Sequence, residues 1–127
     1  MCYTDNDFSQ LLIQFFPNGD SGPVAEYLET LRQSSQRKDA WAKLARDLGF
    51  LKCEGLFSKQ ISIERIHGVP GSVWELRRSY EGIKYRIYFC MRRGEAWLLH
   101  QLEKKSPRIP SRDLDLIRKR AKEVLRR

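Results

Sequence analysis

Residues 73–103 read VWELRRSYEGIKYRIYFCMRRGEAWLLHQLE, and the fold depends on this stretch more than on any other. It contains three runs rich in β-branched and aromatic residues, which are the residue types that favour strands. Glu81-Gly82 and Arg93-Gly94 separate these runs, with the composition and two-residue length of hairpin turns. The stretch therefore predicts an antiparallel meander of three strands over residues 73–80, 83–92 and 95–103.

The residues before the meander predict a short strand followed by two helices. Residues 11–16 have the apolar and aromatic content of a strand, and the turn-prone residues 17–20 close it. Pro23 suits a first helical turn. Apolar residues then recur at the spacing of an amphipathic helix: Val24, Tyr27, Leu28 and Leu31. A second helix repeats this pattern at Trp41, Leu44, Ala45, Leu48 and Leu51, and Gly55 is its expected end.

The remaining segments complete one α+β domain. Ile61 and Ile63 alternate with polar residues, and residues 68–71 break the chain before the meander. Pro110-Ser111 opens a third helix, with Ser111 as the expected N-cap. The apolar stripe of this helix is expected to be Leu114, Ile117, Ala121 and Leu125. We expect a single domain over residues 1–127, with residues 1–8 as a flexible extension, in which an N-terminal strand, a helical hairpin and a C-terminal helix pack on an antiparallel sheet.

Length and composition exclude several classes of protein. The chain has 127 residues and is 41% hydrophobic, which is enough to build a core and unlike a disordered chain. Its longest apolar run is five residues, at 87–91, whereas a membrane-spanning helix needs about 20. The acidic N-terminus, residues 1–7, lacks the layout of a secretory signal. The expectation is a soluble cytoplasmic protein that has no contact with a membrane.

The cysteines and histidines give no sign of a metal site. Cys2, Cys53 and Cys90 are odd in number and far apart, which argues against a disulfide scaffold and against zinc. Cys53 and Cys90 are expected to pack as small apolar residues. His67 and His100 belong to no ligand cluster. We therefore expect no metal and no small-molecule cofactor.

The net charge of +8 is distributed unevenly along the chain. Residues 1–73 contain 8 basic and 9 acidic side chains, whereas residues 74–127 contain 16 basic and 7 acidic ones. All of the excess positive charge therefore lies in the last 54 residues. This asymmetry indicates a surface that binds a polyanion, with nucleic acid as the leading candidate. The alternative is a solvated basic helix with no binding role.

The alternation of side chains along a strand sorts the meander residues onto two faces. Trp74 and Leu76 share the core face of the first strand, as do Tyr85, Ile87 and Phe89 in the second. The third strand is apolar on both faces and is expected to be central or covered. The opposite face is expected to be exposed and to collect cations with an aromatic ring, as phosphate recognition and base stacking require. Its expected members are Glu75, Arg77, Arg86, Tyr88, Lys104 and Lys105.

Three segments of the chain resemble the successive signatures of RelE/ParE-superfamily toxins. They are WELR at 74–77, YRIYF at 85–89 and LLHQLEKK at 98–105, and they are most similar to the phage-derived, HigB-like branch. Residues 22–28 also resemble the start of the first helix in that branch. The resemblance covers about residues 9–125. Leu102 stands where the branch usually has phenylalanine.

The resemblance implies the toxin of a type II toxin–antitoxin system. Such a toxin is a metal-independent, ribosome-dependent endoribonuclease that cleaves mRNA and inhibits translation. Its expected partners are a cognate antitoxin of the helix-turn-helix type, mRNA and the ribosome. Two alternatives stay open: a ParE-like inhibitor of DNA gyrase, and a catalytically degenerate relative that binds nucleic acid.

The resemblance also implies roles for individual residues. Arg77 and Arg86 match the strand arginines and suit phosphate clamping, because a planar guanidinium binds phosphate oxygens in pairs. Lys104 and Lys105 match the lysine pair, for charge stabilisation or proton transfer. Glu75 is the nearest candidate base, although pairing with either arginine would give it a structural role instead.

Further expectations concern RNA contacts and the core. Tyr88 is expected to stack a base or orient the phosphate, and the general acid is unassigned. The other expected RNA contacts are Arg108, Arg118 and Lys119. His100, in an apolar strand, is interpreted as a hydrogen-bonded core residue.

Overall fold

The computed structural model describes residues 10–69, 71–103 and 108–127. These residues form three helices and five strands. In chain order the elements are β1 (Leu12–Phe15), α1 (Pro23–Gln33), α2 (Lys38–Glu54), a 3-10 turn (Gly55–Phe57), β2 (Ser62–Arg65), β3 (Val73–Tyr80), β4 (Ile83–Arg92), β5 (Glu95–Glu103) and α3 (Ser111–Leu125). The predicted limits of the three meander strands are confirmed. The predicted extension, residues 1–8, lies outside the described residues.

The strands form one mixed sheet in the order β1-β5-β4-β3-β2. β1 pairs with β5 in parallel, whereas the other three pairings are antiparallel. The α+β class and the arrangement of elements are therefore confirmed. The structure adds two features to the prediction. β2 is a fourth antiparallel strand beside the meander, and β1 forms the opposite edge of the sheet.

The two hairpin turns have the backbone conformation that their residues predict. Glu81 and Gly82 have φ angles of 49° and 81°, and Arg93 and Gly94 have φ angles of 49° and 78°. Positive φ at both central residues is the geometry that matches the right-handed twist of the flanking strands. The tight turns place β3, β4 and β5 side by side in a fixed register.

Both faces of the sheet are covered at its centre. Side chains on one face pack against α1 and α2; the buried ones on the sheet are Leu76, Tyr85, Ile87, Phe89, Ala96 and Leu98. Side chains on the other face pack against α3; those on the sheet are Val73, Tyr88, Cys90, Trp97 and Leu99. β5 contributes to both clusters, so the expectation that this strand is covered is confirmed.

A β-bulge interrupts the pairing of β4 with β5. Tyr88 pairs with His100 and Phe89 pairs with Leu98, so Leu99 is the additional residue of β5. A bulge shifts the alternation of side chains by one residue. As a result His100 lies on the α3 face, opposite Tyr88, whereas uninterrupted alternation would place it with Leu98 on the other face.

Two expectations about α3 are wrong. Ser111 is the first helical residue and Pro110 is the N-cap, which has no side-chain oxygen to offer the helix. Val124, rather than Leu125, completes the buried stripe with Ile117 and Ala121. Leu125 is 39% exposed and contacts the loop before β3, where a Cβ added to Gly71 would lie 2.5 Å from its Cδ1 atom.

The cysteines differ from one another in state. Cys90 is a buried free thiol, in agreement with its predicted apolar packing. Cys53, near the end of α2, is disulfide-bonded, so the expectation that it simply packs as a small apolar residue is wrong. Among the described residues, none of the helices has the length and apolar character that crossing a membrane requires.

Candidate functional site

α3 covers only part of its face of the sheet, and the uncovered part forms a cationic groove. The groove has a volume of about 550 Å³ and lies at the end of β3, the start of β4 and the segment that leads into β2. Its lining is Lys59, Gln60, Ile61, Ser62, Arg77, Arg78, Ser79, Lys84 and Arg86. These nine residues include five Lys or Arg side chains and no carboxylate. Such a groove suits the backbone of a nucleic acid.

Arg77 and Arg86 lie next to each other in a row that crosses the sheet. The register pairs Ser62 with Arg77, Arg77 with Arg86, and Arg86 with Leu102. Directly paired residues on neighbouring strands share a face and lie about 5 Å apart. The side chain of Arg86 is 2% exposed, whereas that of Arg77 is 39% exposed. Arg86 is therefore a buried part of the groove and Arg77 an accessible one.

A second row lies beside this one and contains groups that can carry or release protons. The register pairs Glu64 with Glu75, Glu75 with Tyr88, and Tyr88 with His100. The rings of Tyr88 and His100 are stacked, with centroids 6.4 Å apart and planes 26° apart. Nε2 of His100 lies 2.8 Å from Oδ1 of Asp113 in the first turn of α3. The His100 side chain is mostly buried, but 12% of its surface remains accessible to solvent.

Glu75 connects the two rows. Nε of Arg77 donates to Oε1 of Glu75, and Nε of Arg86 lies 3.2 Å from Oε2 of the same carboxylate. Arg77 also forms an ion pair with Glu64 at the edge of the sheet. The hydrogen bond to Glu75 is the largest of the effects that raise the pKa of Arg77. The Glu75 carboxylate therefore favours the charged form of Arg77 and fixes the direction of both guanidinium groups.

Tyr88 lies between Glu75 and His100 and is fully buried. Burial raises the pKa of the Tyr88 phenol, and the neighbouring Glu75 carboxylate raises it further. The phenol is therefore neutral throughout the physiological pH range. Its ring stacks on the ring of His100, and the residue belongs to the row of Glu64, Glu75, Tyr88 and His100.

Arg78 points to the opposite face and fastens the groove wall to the helical hairpin. Its Nε donates to Oδ2 of Asp47 at 2.7 Å, and the Asp47 side chain on α2 is almost completely buried. The hydrogen bond to Asp47 raises the pKa of Arg78. The pair holds β3 against α2 at the point where the groove begins.

The end of β5 is held in a similar way. Glu103, its last residue, accepts a hydrogen bond from the Tyr27 hydroxyl on α1 and one of 2.9 Å from Nη1 of Arg37. The guanidinium of Arg37 also lies over the Tyr85 ring, 5.6 Å from its centroid. Lys104 and Lys105 follow Glu103 in the sequence and lie outside the described residues.

The structure brings together four of the predicted site residues, namely Glu75, Arg77, Arg86 and Tyr88. The expectation that their face is solvent-exposed is wrong for three of them, because Glu75, Arg86 and Tyr88 are buried. Tyr88 is buried because α3 packs over it, and the burial of Glu75 and Arg86 is compatible with their charge because the carboxylate and the two guanidinium groups compensate one another. Glu75 pairs with both arginines, which is the structural alternative that the sequence left open beside its role as the base.

The other predicted RNA contacts differ in their exposure and in their partners. Arg108 and Lys119 are exposed. Arg118 donates from Nη2 to the Gly68 carbonyl oxygen at 2.8 Å and from Nη1 to Asp115 at 2.8 Å, so it ties α3 to the loop before β3. These three residues belong to α3 and the segment that precedes it.

Sequence reasoning missed Lys59 and Lys84 in the groove, and the place of His100 beside it. Lys84 precedes Arg86 by two residues, so strand alternation alone would have placed it on the same face. No comparable signal locates Lys59, which precedes β2, or His100, whose side of the sheet depends on the bulge. The contact of His100 with Asp113, in the first turn of α3, was not predicted either.

The arrangement can hold a phosphodiester and move protons beside it. Cations bind the phosphate oxygens, and a histidine oriented by a carboxylate lies in the adjoining row. In the described part of the chain, no cluster of three or more His, Cys, Asp or Glu residues has the geometry to hold a metal ion.

A family comparison identifies the chain. The model of the family described as "Phage derived protein Gp49-like (DUF891)" matches residues 25–122, which run from α1 into α3 and include both cross-strand rows. Searches of the curated proteins and of the solved structures gave no match. Because the matched region covers most of the sequence, the chain belongs to the Gp49-like family of phage-derived, RelE-like toxins of toxin–antitoxin systems.

Proposed function

We propose that the protein is a HigB-like toxin of a type II system and acts as a metal-independent, ribosome-dependent endoribonuclease that cleaves mRNA. The proposal rests on one observation. The cationic groove adjoins the row that contains Tyr88 and His100, and Glu75 of that row pairs with Arg77 and Arg86 of the groove. A toxin that acts only by binding a protein target has no need of this combination.

The groove is suited to hold the scissile phosphate and its neighbours. Arg77 is accessible and presents a planar fork of donors, whereas the buried Arg86 supplies fixed positive charge beneath it. Lys84 and Lys59 extend the charge along the groove. Lys104 and Lys105 follow β5 directly and are proposed to neutralise the crowded phosphate and to protonate the leaving 5′-oxygen.

We assign proton abstraction to His100 and positioning to Glu75. Both carboxylate oxygens of Glu75 face guanidinium groups, so its main effect is to aim Arg77 and Arg86. His100 lies one row from these arginines, which is about 7 Å along the strand, and Asp113 orients its ring. In the reaction the 2′-oxygen loses its proton to His100 and attacks phosphorus. The bond to the 5′-oxygen then breaks, and a 2′,3′-cyclic phosphate is left.

Surfaces outside the groove are proposed to contact the larger partners. The exposed cations Arg108 and Lys119, with Arg118 beside them, are proposed to bind ribosomal RNA through its phosphates. Family membership implies an antitoxin partner. We propose that this antitoxin is of the helix-turn-helix type and that the toxin acts in the cytoplasm.

The test is to map mRNA 5′ ends in bacteria after induced expression. We expect growth arrest and new 5′ ends inside translated messages, and we expect Arg77→Ala and Lys84→Ala to relieve both effects. Lys52→Ala, which changes an exposed lysine on α2, is the control and should remain toxic. DNA breaks with intact messages would indicate a gyrase inhibitor instead. Normal growth with the wild-type chain would indicate a degenerate relative.

A further inference from the structure

We propose that Phe57 is a platform on which a base of single-stranded RNA stacks as the strand enters the cationic groove. The proposal rests on the proposed function only in taking RNA as the ligand. It adds a base-binding position to a site whose lining provides contacts for phosphate alone.

The exposure of the Phe57 ring has no explanation in the packing of the protein. The residue is 91% exposed, whereas its neighbour Leu56 packs against the main core. A single exposed apolar residue is ordinary on a protein surface. The position of Phe57 is what distinguishes it, because Lys59 and Gln60, two and three residues later, line the groove. The Cα atom of Phe57 therefore lies no more than about 11 Å from the Cα atoms of these two groove residues.

The backbone beneath the ring is held by several hydrogen bonds. The Ser58 amide donates to the Gly55 carbonyl oxygen at 3.2 Å, and the Ser58 hydroxyl donates to Glu54 at 2.6 Å. The same hydroxyl oxygen accepts from the Gln60 amide at 3.2 Å. An aromatic ring on a fixed backbone loses little conformational entropy when it binds a flat partner.

The groove and the ring provide complementary contacts. Grooves for single-stranded nucleic acid combine cations that follow the phosphates with aromatic rings on which bases stack. The nine residues of the groove lining include cations, hydroxyls and an amide, but no aromatic ring. Phe57 supplies the aromatic contact next to them.

A base fits this ring better than an apolar protein partner does. Apart from Gly55 and Leu56, which packs against the main core, the residues around the ring along the chain are polar or charged: Glu54, Ser58, Lys59 and Gln60. The other large exposed apolar side chains of the described residues, Leu12 and Leu125, belong to β1 and α3. The segment therefore presents one flat ring among polar groups, which suits a heterocycle with attached phosphates.

The experiment measures binding without cleavage. The probe is a single-stranded RNA oligonucleotide in which every ribose is 2′-O-methylated, so that no 2′-hydroxyl is available for attack. We expect Phe57→Ala to weaken its binding about tenfold and Phe57→Trp to retain the affinity of the wild-type chain. Leu12→Ala, which removes another exposed apolar side chain, is the control and should change nothing.

A second series of probes locates the base. Each oligonucleotide lacks the base at one position, so that its sugar and phosphate remain. At one position the loss of the base should weaken binding to the wild-type chain about tenfold, and it should have no further effect on Phe57→Ala. Lys84→Ala should weaken the binding of every probe, because its contact is with phosphate.

The outcomes separate this inference from the proposed function. If Phe57→Ala binds every probe with wild-type affinity while Lys84→Ala binds them more weakly, the stacking role is overturned and RNA binding by the groove is retained. If the wild-type chain binds no probe, the stacking role fails, whereas the proposed function is still decided by the new 5′ ends in translated messages. If Phe57→Ala retains RNA affinity but no longer retains the co-expressed antitoxin, the ring is a protein contact and the inference is wrong.

Discussion

Arg86 and Glu75 form a buried ion pair across β4 and β3, with Nε of Arg86 3.2 Å from Oε2 of Glu75 and both side chains at most 3% exposed. Removing two charges from water costs several kcal/mol per ion, and their mutual attraction repays this cost only when the geometry is good. Here Arg77 supplies a second guanidinium to the same carboxylate. The pair is therefore part of the folded core as well as of the candidate site.

The first prediction concerns stability. Arg86→Met should lower the free energy of unfolding by about 3–5 kcal/mol, because it leaves the Glu75 carboxylate buried with only one cationic partner in this pairing. Urea unfolding measures the change. Glu64→Gln is the matched control, since it removes one partner of the exposed ion pair with Arg77, and it should cost less than about 1 kcal/mol. Equal losses in the two variants would contradict the structural role of Arg86.

The second prediction concerns proton transfer by His100. His100→Gln should lower the single-turnover rate of ribosome-dependent mRNA cleavage by about 10²–10⁴-fold. Asp113→Asn should lower it less, because the imidazole remains and only its orientation is disturbed. His67→Gln changes the other histidine of the chain, which is exposed, and should leave the rate unchanged. A fully active His100→Gln variant would rule out His100 as the base.

The third prediction concerns stability at alkaline pH. Burial raises the pKa of the Cys90 thiol from 9.0 to about 12. Between these values the unfolded chain has released the thiol proton while the folded chain retains it. The ionisation of Cys90 should therefore leave the free energy of unfolding unchanged near neutral pH and lower it as the pH rises above about 9.

Urea unfolding at pH 7.5 and at pH 10 measures this dependence, and Cys90→Ala should show a smaller decrease between the two. Tyr88, whose pKa is also raised by burial, contributes to the decrease that remains. In the folded wild-type chain Cys90 should resist alkylation at pH 8, because its thiolate is scarce and buried. Rapid alkylation under native conditions would show that the region around Cys90 opens.

The fourth prediction compares two glycines. A Cβ added to Gly49, inside α2, has no atom within 4 Å, so Gly49→Ala should raise the free energy of unfolding by about 0.5–1 kcal/mol. Gly22 precedes α1 with a φ of 148°, and a Cβ there would lie 1.8 Å from the Phe16 carbonyl oxygen. Gly22→Ala should therefore cost more than about 1 kcal/mol. Thermal unfolding of both variants should show shifts of opposite sign.

Local patterns were sufficient to predict most of the fold. The limits of β3, β4 and β5 follow from two Gly-containing turns between apolar runs, and α1 and α2 follow from the spacing of their apolar residues. The parallel pairing of β1 with β5 joins segments about 80 residues apart, and no local pattern encodes such a contact. β2 has four residues, which are too few for alternation alone to distinguish a strand from an extended loop.

The sequence predicts which residues share the face of the candidate site, but it does not predict how far they are buried. Strand alternation places Glu75, Arg77, Arg86 and Tyr88 on one face, as observed. The burial of Tyr88 depends on where α3 packs, which is a property of the tertiary structure. Glu75 is interpreted as exposed from sequence alone, because Arg86, which completes the compensation of its charge, lies on another strand.

The bulge at Leu99 decides on which face of the sheet His100 lies. Deleting Leu99 would restore regular alternation and leave Leu98 opposite Phe89 and His100 opposite Tyr88. Deleting Gln101 instead would also remove the irregularity, but it would bring His100 opposite Ile87, on the face that packs against α1 and α2. The side of the sheet that carries the imidazole therefore depends on where the one additional residue of β5 stands, and two deletions of equal length should differ in their effect on the site.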